Sequence, residues 1–286
     1  MHKIKSFFAK LLQFFCLLKL NIIDNVFGAF YYKSNSHAEP FDLNDDMGKR
    51  ICIFAPHVDD EILGLGGLIK KYEKLGIFVT IIYVTDGRKS YAVGMNESEM
   101  RLARIKEGQN IGKKLYNVNI EFLDLKSMEY SEENIRNVIL KIVNIVVPDI
   151  IYFPNYIDTN WDHMMLAKTI IDNCFFSELR MYSVQTPLPL SVDSKLVEID
   201  DEVSDKISLI KVFESQMSMK HSFNRIILYN KIMGSKIRSR YAENFMIIND
   251  SNKNKILNIK YDLGKVKRVS SYESIYDAIK FSDSYW

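Results

Sequence analysis

The strongest constraint on the fold is an alternation of short apolar runs with longer amphipathic segments between residues 50 and 218. The runs are rich in Val, Ile, Phe and Tyr, and the segments between them repeat apolar residues at helical spacing. Strands are predicted over 50–56, 77–87, 120–125, 149–156 and 180–185, and helices over 60–76, 98–115, 131–146, 161–174 and 202–218. Strands that alternate with helices are connected by right-handed crossovers. The sequence therefore predicts an α/β fold, a Rossmann-like, mostly parallel sheet with helices on both faces.

The composition is that of an ordinary globular protein, with 47% hydrophobic and 26% charged residues in a chain of 286. The formal net charge of +2 argues against a broad nucleic-acid surface, so no nucleic acid is expected as a partner. Cys16, Cys52 and Cys174 are far apart and form no CxxC pair, which argues against a disulfide framework. A reducing, cytoplasmic location is the simplest interpretation.

The first 33 residues differ from the rest because they are strongly apolar and carry five interspersed lysines. The longest uncharged run, residues 11–18, is far shorter than the roughly 20 residues that a membrane span needs. Two interpretations remain open for residues 1–33. The segment is either a helix that packs on protein or an interfacial helix whose lysines face anionic lipid. The second would give a peripheral protein at the inner face of the membrane.

Polar residues cluster directly after three of the predicted strands. In a parallel sheet such positions share one edge, the edge beyond the carboxyl ends of the strands, where ligands bind. The clusters are His57, Asp59 and Asp60 after the first strand, Asp86, Gly87 and Arg88 after the second, and Asp158, Asn160, Asp162 and His163 after the fourth. Their convergence indicates a functional site.

His57, Asp60 and His163 have the chemistry of a catalytic zinc site. Two imidazoles and one carboxylate form a three-ligand set that leaves a position for water. His57 and Asp60 are three residues apart, so both can face the same way at a helix start. Asp59 would then point elsewhere and serve as general base. Taken singly, each cluster is also compatible with ordinary helix capping, because acids stabilise the positive end of a helix dipole.

Several of these residues lie in stretches that resemble a known family. The stretch PHVDDE at 56–61 is similar to the Pro/Ala-His-Pro-Asp-Asp-Glu signature of the LmbE-like, or PIG-L-type, N-acetylglucosamine deacetylases. Five further stretches resemble landmarks of the family: VTDG at 84–87, RIKEGQNIG at 104–112, NWDHMMLA at 160–167, ESQ at 214–216 and YAENF at 241–245. The resemblance covers about residues 50–248.

The resemblance implies that His57, Asp60 and His163 bind one Zn²⁺ per chain and that Asp59 is the general base. It implies an N-deacetylase, a hydrolase of linear amide C–N bonds. The expected substrate is the acetamide of an N-acetylglucosamine-type sugar conjugate, a small glycolipid or glycan precursor that is converted to a free amine and acetate. Two alternatives remain: a zinc amidase of a larger amide conjugate and a non-hydrolytic sugar-nucleotide binding protein.

Three further residues are candidates for the same site. Arg88 is expected to bind sugar hydroxyls or a phosphate, and Asp162 is expected to orient a ligand histidine. Asn160 is a candidate for substrate binding, and it stands where several family members carry a histidine. Asparagine donates hydrogen bonds but does not titrate, so the identity of the general acid is open. Val58 also departs from the family signature, at a position that affects the backbone only.

Four segments are expected along the chain. Residues 1–33 form the apolar, basic helical segment and residues 34–49, which are polar and rich in turn residues, form a linker. Residues 50–250 form the deacetylase-like catalytic domain, and residues 251–286 form a C-terminal extension packed on it. A homo-oligomer is compatible with the sequence, which does not set the number of subunits.

Overall fold

The computed structural model describes residues 38–257, except 91–93, 157, 159, 185–187 and 189–193. Within this range only the backbone is described for residues 217–222 and 255. The predicted segment 1–33 and most of the predicted extension 251–286 therefore lie outside the described residues. Among the described helices, none is both long enough and apolar enough to cross a bilayer.

The core of the domain is one eight-stranded sheet. Its strands are β1 (Ala38–Pro40), β2 (Ile51–Ala55), β3 (Val79–Thr85), β4 (Val118–Leu125), β5 (Ile150–Pro154), β6 (Glu178–Tyr182), β7 (Ser194–Glu198) and β8 (Ala242–Ile248). The strand order is β1-β7-β8-β6-β5-β2-β3-β4. All neighbours pair in parallel except β8, which runs antiparallel to both β6 and β7. The predicted mostly parallel α/β sheet is confirmed.

Seven α-helices accompany the sheet within the described residues. They are α1 (Asp60–Lys74), α2 (Glu97–Lys114), α3 (Glu132–Val146), α4 (Trp161–Asn173), α5 (Val203–Ile210), α6 (Lys220–Lys236) and α7 (Asp250–Leu257). Helix α2 begins one residue before its predicted start at 98, and Asn96 caps it in a capping box with Glu99. The predicted helix 202–218 ends at Ile210, and a 3₁₀ turn follows at Glu214–Met219.

Helices cover both faces of the sheet because the central strands alternate their side chains between two apolar clusters. Ile51 and Ile53 of β2 pack in the cluster that contains α1, α2 and α5. Cys52 and Phe54 of the same strand pack in the cluster that contains α3 and α4. All four side chains are essentially inaccessible to water. Such two-sided burial is the reason that β2 is a continuous apolar run rather than an alternating one.

Helix α1 is bent in the middle, and the bend sets the direction of its first turn. Leu65 has non-helical angles of φ −133° and ψ 17°. Just beyond it, the amides of Gly67 and Leu68 donate to the two oxygens of Glu243 at 2.9 and 2.7 Å. A Cβ at Gly64 would lie 2.4 Å from the Tyr182 ring. The glycines of GLGG therefore serve close packing of the helix on the sheet.

Part of the predicted linker 34–49 is built into the domain. Residues 38–40 are strand β1 and pair with β7. Asp46 is fully buried, and both of its oxygens accept 2.7 Å hydrogen bonds from the Arg180 guanidinium. The polar composition suggested a linker because the partner that satisfies this buried acid lies 134 positions away along the chain.

Candidate active site

The structure brings His57, Asp60 and His163 together at the carboxyl edge of the sheet. His57 follows β2, Asp60 is the first residue of α1, and His163 lies in the first turn of α4. His57 Nδ1 and His163 Nε2 each lie 3.2 Å from Asp60 Oδ2 and 3.3 Å from one another. The three atoms form a nearly equilateral triangle inside the protein, with all three residues buried.

This triangle fits a small divalent cation. Zinc with tetrahedral bonds of about 2.0–2.2 Å separates its ligand atoms by about 3.3–3.6 Å. Two imidazole nitrogens and a carboxylate oxygen are also the donor set of catalytic zinc sites. Without a proton or a cation between them, three lone pairs directed at one point would repel one another. The donor set and its spacing therefore suit a metal ion.

The remaining nitrogen of each histidine faces an aspartate. His57 Nε2 lies 2.9 Å from Asp162 Oδ2, and His163 Nδ1 lies 3.2 Å from Asp158 Oδ2. Asp162 also accepts hydrogen bonds from the Ser127 hydroxyl at 2.6 Å and from the Met128 amide at 3.0 Å. For His57, the hydrogen bond to Asp162 holds the proton on the outer nitrogen, which leaves the inner nitrogen's lone pair free for a metal. The His163–Asp158 contact is an ion-pair contact without hydrogen-bond geometry.

The electrostatics favour positive charge at the triangle. Burial lowers the pKa of His57, but its hydrogen bonds to Asp162 and Asp60 outweigh burial and raise the pKa to about 9. For His163, burial likewise lowers the pKa, and the charges of Asp60 and Asp158 raise it well above the usual value. Burial raises the pKa of Asp60, but the charges and hydrogen bonds of His163 and His57 outweigh burial and lower it. In the metal-free protein protons hold this charge, and metal binding would release them.

Asp59 lies beside the triangle but points to another partner. Its backbone has φ 140°, a conformation that L-residues rarely adopt, so its direction is imposed by the surrounding structure. Its Oδ2 lies 3.0 Å from Nη1 of Arg104 on α2. Burial raises the pKa of Asp59, and the Arg104 charge opposes this rise. Asp59 is thus a carboxylate next to the triangle that is free of the ligand cluster.

Arg104 is the one functional candidate here that sequence reasoning did not single out. It is 2% exposed, it donates to the Val58 carbonyl, and its Nη2 donates to the Ser90 hydroxyl at 2.9 Å. A Cβ at Gly87, where φ is +62°, would lie 3.3 Å from the Arg104 side chain. The sequence did contain a signal for Arg104, namely the Arg-x-x-Glu spacing on α2. Glu107, the acid of this spacing, is also buried and accepts hydrogen bonds from the amide and hydroxyl of Ser215.

Arg88 and Asn160 lie at the same edge of the sheet but outside the triangle. The Arg88 guanidinium is paired with Asp86, whose other oxygen accepts from the Ser127 amide at 3.2 Å. Asn160 caps α4, because its side-chain oxygen accepts from the Asp162 amide at 2.9 Å. The cap uses the oxygen of the amide and leaves the NH₂ group to donate.

Residues 52–174 match the PIG-L family, described as GlcNAc-PI de-N-acetylase. This segment is a PIG-L family domain. It contains the triangle, Asp59 and Arg104, whereas β7 and β8 lie beyond it.

Two of the proteins to which this chain is similar are diacetylchitobiose deacetylases. A diacetylchitobiose deacetylase from Thermococcus kodakarensis is 33% identical over 141 residues, which are 48% of this chain and 51% of the relative. The match therefore spans about half the length of that protein. The structure of an N,N'-diacetylchitobiose deacetylase from Pyrococcus horikoshii has a TM-score of 0.63 at 25% identity, covering 73% of this chain and 87% of its own.

The same fold also occurs with other chemistry. A 4-carboxy-2-hydroxymuconate hydratase from Pseudomonas putida superposes with a TM-score of 0.57 at 15% identity, covering 70% of this chain and 96% of its own. This likeness shows the fold alone. Function must therefore be argued from the site.

Proposed function

We propose that the protein is a metal-dependent N-deacetylase that hydrolyses the acetamide of an N-acetylglucosamine-type sugar conjugate to a free amine and acetate. The observation that supports this most is the triangle of His57 Nδ1, Asp60 Oδ2 and His163 Nε2 with the Asp59 carboxylate beside it. The PIG-L domain and the similarity to diacetylchitobiose deacetylases point to the same chemistry.

The proposed cofactor is one Zn²⁺ per chain, held by His57, Asp60 and His163. A bound zinc ion lowers the pKa of a water to about 7 and polarises a carbonyl oxygen. Asp162 would keep the outer nitrogen of His57 protonated, and Asp158 faces the outer nitrogen of His163. Substituting such supporting acids commonly weakens metal binding by about 10–100-fold.

Asp59 is the proposed general base. It would take a proton from the attacking water as the oxygen bonds to the acetamide carbon. When the C–N bond breaks, the leaving nitrogen requires a proton, and Asp59 would return the one it took. Asn160 cannot supply this proton because an amide does not titrate. Arg104 would keep the Asp59 carboxylate charged and directed through their 3.0 Å ion pair.

Arg88 and Asn160 are the proposed substrate contacts. The NH₂ group of Asn160 is available to donate to a sugar hydroxyl or to the acetamide oxygen, since its oxygen caps α4. Arg88 is partly exposed beside the site, and its pairing with Asp86 fixes the guanidinium for sugar hydroxyls or a phosphate.

The rest of the expected organisation is also proposed. Residues 50–250 would be the catalytic domain, residues 251–286 an extension packed on it, and residues 1–33 a peripheral membrane contact. The proposed location is cytoplasmic, at the inner face of the membrane. The protein would act on its substrate as a monomer or a homo-oligomer.

Acetate release tests the proposal directly. Full-length protein is stripped with a chelator, its metal content is measured, and it is assayed on N,N'-diacetylchitobiose and on N-acetylglucosamine conjugates before and after zinc is restored. We expect turnover only in the zinc-restored sample. Undiminished turnover in protein shown to be metal-free would refute the mechanism, and tight binding of a sugar nucleotide without hydrolysis would favour the non-hydrolytic alternative.

A further inference from the structure

A buried ion pair binds the backbone of α1 at its bend. In a regular α-helix the Gly67 amide would donate to the Leu63 carbonyl, four residues earlier. Here the Gly67 amide donates to Glu243 Oε1 at 2.9 Å, and the Leu63 carbonyl accepts from Lys206 Nζ at 2.8 Å. Lys206 Nζ and Glu243 Oε1 are themselves 2.6 Å apart. The ion pair therefore binds the two backbone groups that a regular helix would pair with each other.

All the protons of the Lys206 ammonium group have acceptors. Besides the Leu63 carbonyl and the Glu243 carboxylate, the ammonium donates to Asn230 Oδ1 on α6 at 2.9 Å. The second oxygen of Glu243 accepts from the Leu68 amide at 2.7 Å. Lys206 is fully buried and Glu243 is 1% exposed. Burial lowers the pKa of Lys206, and the charge of Glu243 opposes this effect. These contacts fix the backbone of α1 on both sides of the bend.

The bend is close enough to the triangle to set the position of Asp60. Asp60 precedes the non-helical residue Leu65 by five positions, which is about 7.5 Å along a helix axis. A change in direction of about 20° at Leu65 would move Asp60 by about 2–3 Å. Distances between a metal and its ligands are held to about 0.2 Å. The direction of the first turn of α1 therefore decides whether Asp60 completes the triangle.

Local contacts settle only part of this position. The His57 amide donates to Asp60 Oδ2 at 2.9 Å, so the short link between the two residues fixes Asp60 relative to His57. His163 comes from another helix, α4, and its Nε2 lies 3.2 Å from the same oxygen. This second distance depends on where α1 directs its first turn.

We propose that Lys206 and Glu243 are positioning residues for the metal site, because they hold the bend through which α1 presents Asp60 to the ion. This inference rests on the proposed metal-dependent deacetylation and deepens it. Lys206 lies on α5 and Glu243 on β8, and both elements follow the PIG-L domain at 52–174. The later part of the chain thus contributes to the site by acting through α1.

Zinc binding by the full chain tests the positioning role. The variant Lys206→Met/Glu243→Gln removes both charges of the pair, so that neither is left buried without its partner. The matched control is Asp46→Asn/Arg180→Met, the same kind of exchange in another buried ion pair. The hydrogen bond of Asp46 to α1 is made at Tyr72, beyond the bend. Each metal-free protein is titrated with Zn²⁺ against a chromophoric chelator, and its unfolding free energy is measured by urea denaturation.

We expect the zinc affinity of Lys206→Met/Glu243→Gln to fall by about 10–100-fold, as it does when residues that orient metal ligands are lost. The control should bind zinc as wild type does, although it also loses stability. Unchanged zinc affinity of Lys206→Met/Glu243→Gln would overturn the proposal. An equal loss of affinity in both double variants would also overturn it, since a general loss of stability would then explain the effect.

Two further measurements keep the test decisive. If Lys206→Met/Glu243→Gln does not fold, Glu243→Asp keeps the charge but draws the carboxylate back from the Gly67 and Leu68 amides by about 1.5 Å, one C–C bond. We expect weaker zinc binding in that variant, and wild-type affinity would overturn the proposal. Wild-type protein that binds no zinc would refute the proposed function and this inference together, so the wild-type titration distinguishes the two failures.

Discussion

Two of the buried charged clusters in the described part of the domain, one around Arg180 and one around Asp60, offset the cost of burying charge in opposite ways. Around Arg180, a guanidinium and the Asp46 carboxylate form two parallel 2.7 Å hydrogen bonds, with Tyr72 and Tyr152 completing the set. Every charge there has a partner of opposite sign. Around Asp60, two imidazoles share a single carboxylate oxygen, and their inner nitrogens face one another at 3.3 Å.

The comparison shows how a structural ion pair differs from a binding site. The Arg180 cluster is complete without a ligand, and the arginine also lies 4.7–5.3 Å over three aromatic rings. The Asp60 cluster directs donor atoms at one point and leaves the charge there to be supplied from outside. Loss of a member should therefore reduce stability in the first cluster and metal binding in the second.

Among the variants, His163→Ala is expected to show the largest difference between the two clusters, with a large effect on metal binding and a small one on stability. Loss of one ligand should release the metal and lower acetate release by about 10⁴-fold or more, because several kcal/mol of catalytic stabilisation depend on the ion. The unfolding free energy of the metal-free protein should change much less. Metal analysis and urea denaturation measure the two effects, and a variant that keeps full zinc would remove His163 from the ligand set.

Asp59→Asn should separate catalysis from metal binding. The amide keeps the shape of the carboxylate but cannot accept the proton, so kcat should fall by about 10²–10⁴-fold. Zinc content should remain one per chain. If this variant loses its zinc, Asp59 is a ligand and the assignment of roles within the PHVDDE stretch is wrong.

Arg180→Met should have the opposite profile. Removing the guanidinium leaves Asp46 buried without its partner, which costs about 3–5 kcal/mol of unfolding free energy. Metal content and kcat/KM of the folded protein should stay near wild type. The double variant Asp46→Asn/Arg180→Met should recover part of the stability, and a loss of zinc in either variant would show that the two clusters are coupled.

A smaller effect is expected for Arg104→Ala. Asp59 would lose its ion pair and its direction, so kcat should fall by about 10–100-fold while zinc is retained. Free guanidinium in the assay should restore part of the activity, which a purely structural loss would not allow. Arg101→Ala is the matched control, because Arg101 is on the same helix and pairs with exposed Asp124. Equal losses in both variants would argue against a role of Arg104 at the site.

The smallest effect concerns pH. The pKa of His57 is about 9 in the folded metal-free protein and about 6.5 when unfolded, so the stabilisation is complete below pH 6.5 and is lost as pH rises through 9. Glu61, whose pKa burial raises to about 8, acts in the same direction. Metal-free protein should lose on the order of 1–3 kcal/mol of stability between pH 6.5 and 9. Zinc-loaded protein, followed by the same denaturation series, should show a flatter profile.

The sequence predicted those strands and helices whose apolar periodicity and capping residues are local in the chain. The strands 50–56 and 149–156 and the helices 131–146 and 161–174 agree with β2, β5, α3 and α4 to within two residues at each end. Apolar periodicity and caps such as Ser131 determine these elements.

The later part of the chain depends on distant contacts and was not predicted. Helix α6 and strand β8 follow a region in which the alternation fades. Strand β8 is inserted antiparallel between β6 and β7, and only long-range pairing decides such a position. At the site, the proximity of His57 and His163 could be predicted because both follow strands of one parallel sheet, and β2 and β5 are indeed neighbours. The contact of Arg104 with Asp59 could not be predicted, because it joins a helix position to a loop position that no periodicity connects.

The bend in α1 makes the first turn of the helix, which carries Asp60, depend on a residue that comes late in the chain. Asp60 stands at the start of a helix whose middle is held by Glu243, and Lys206 secures that carboxylate at 2.6 Å. A nascent chain contains the three residues of the triangle, at positions 57, 60 and 163, well before it contains residue 243. Metal capture should therefore wait until residue 243 has been made and has paired with α1, so that a product truncated before it would carry the triangle residues without the contact that holds α1.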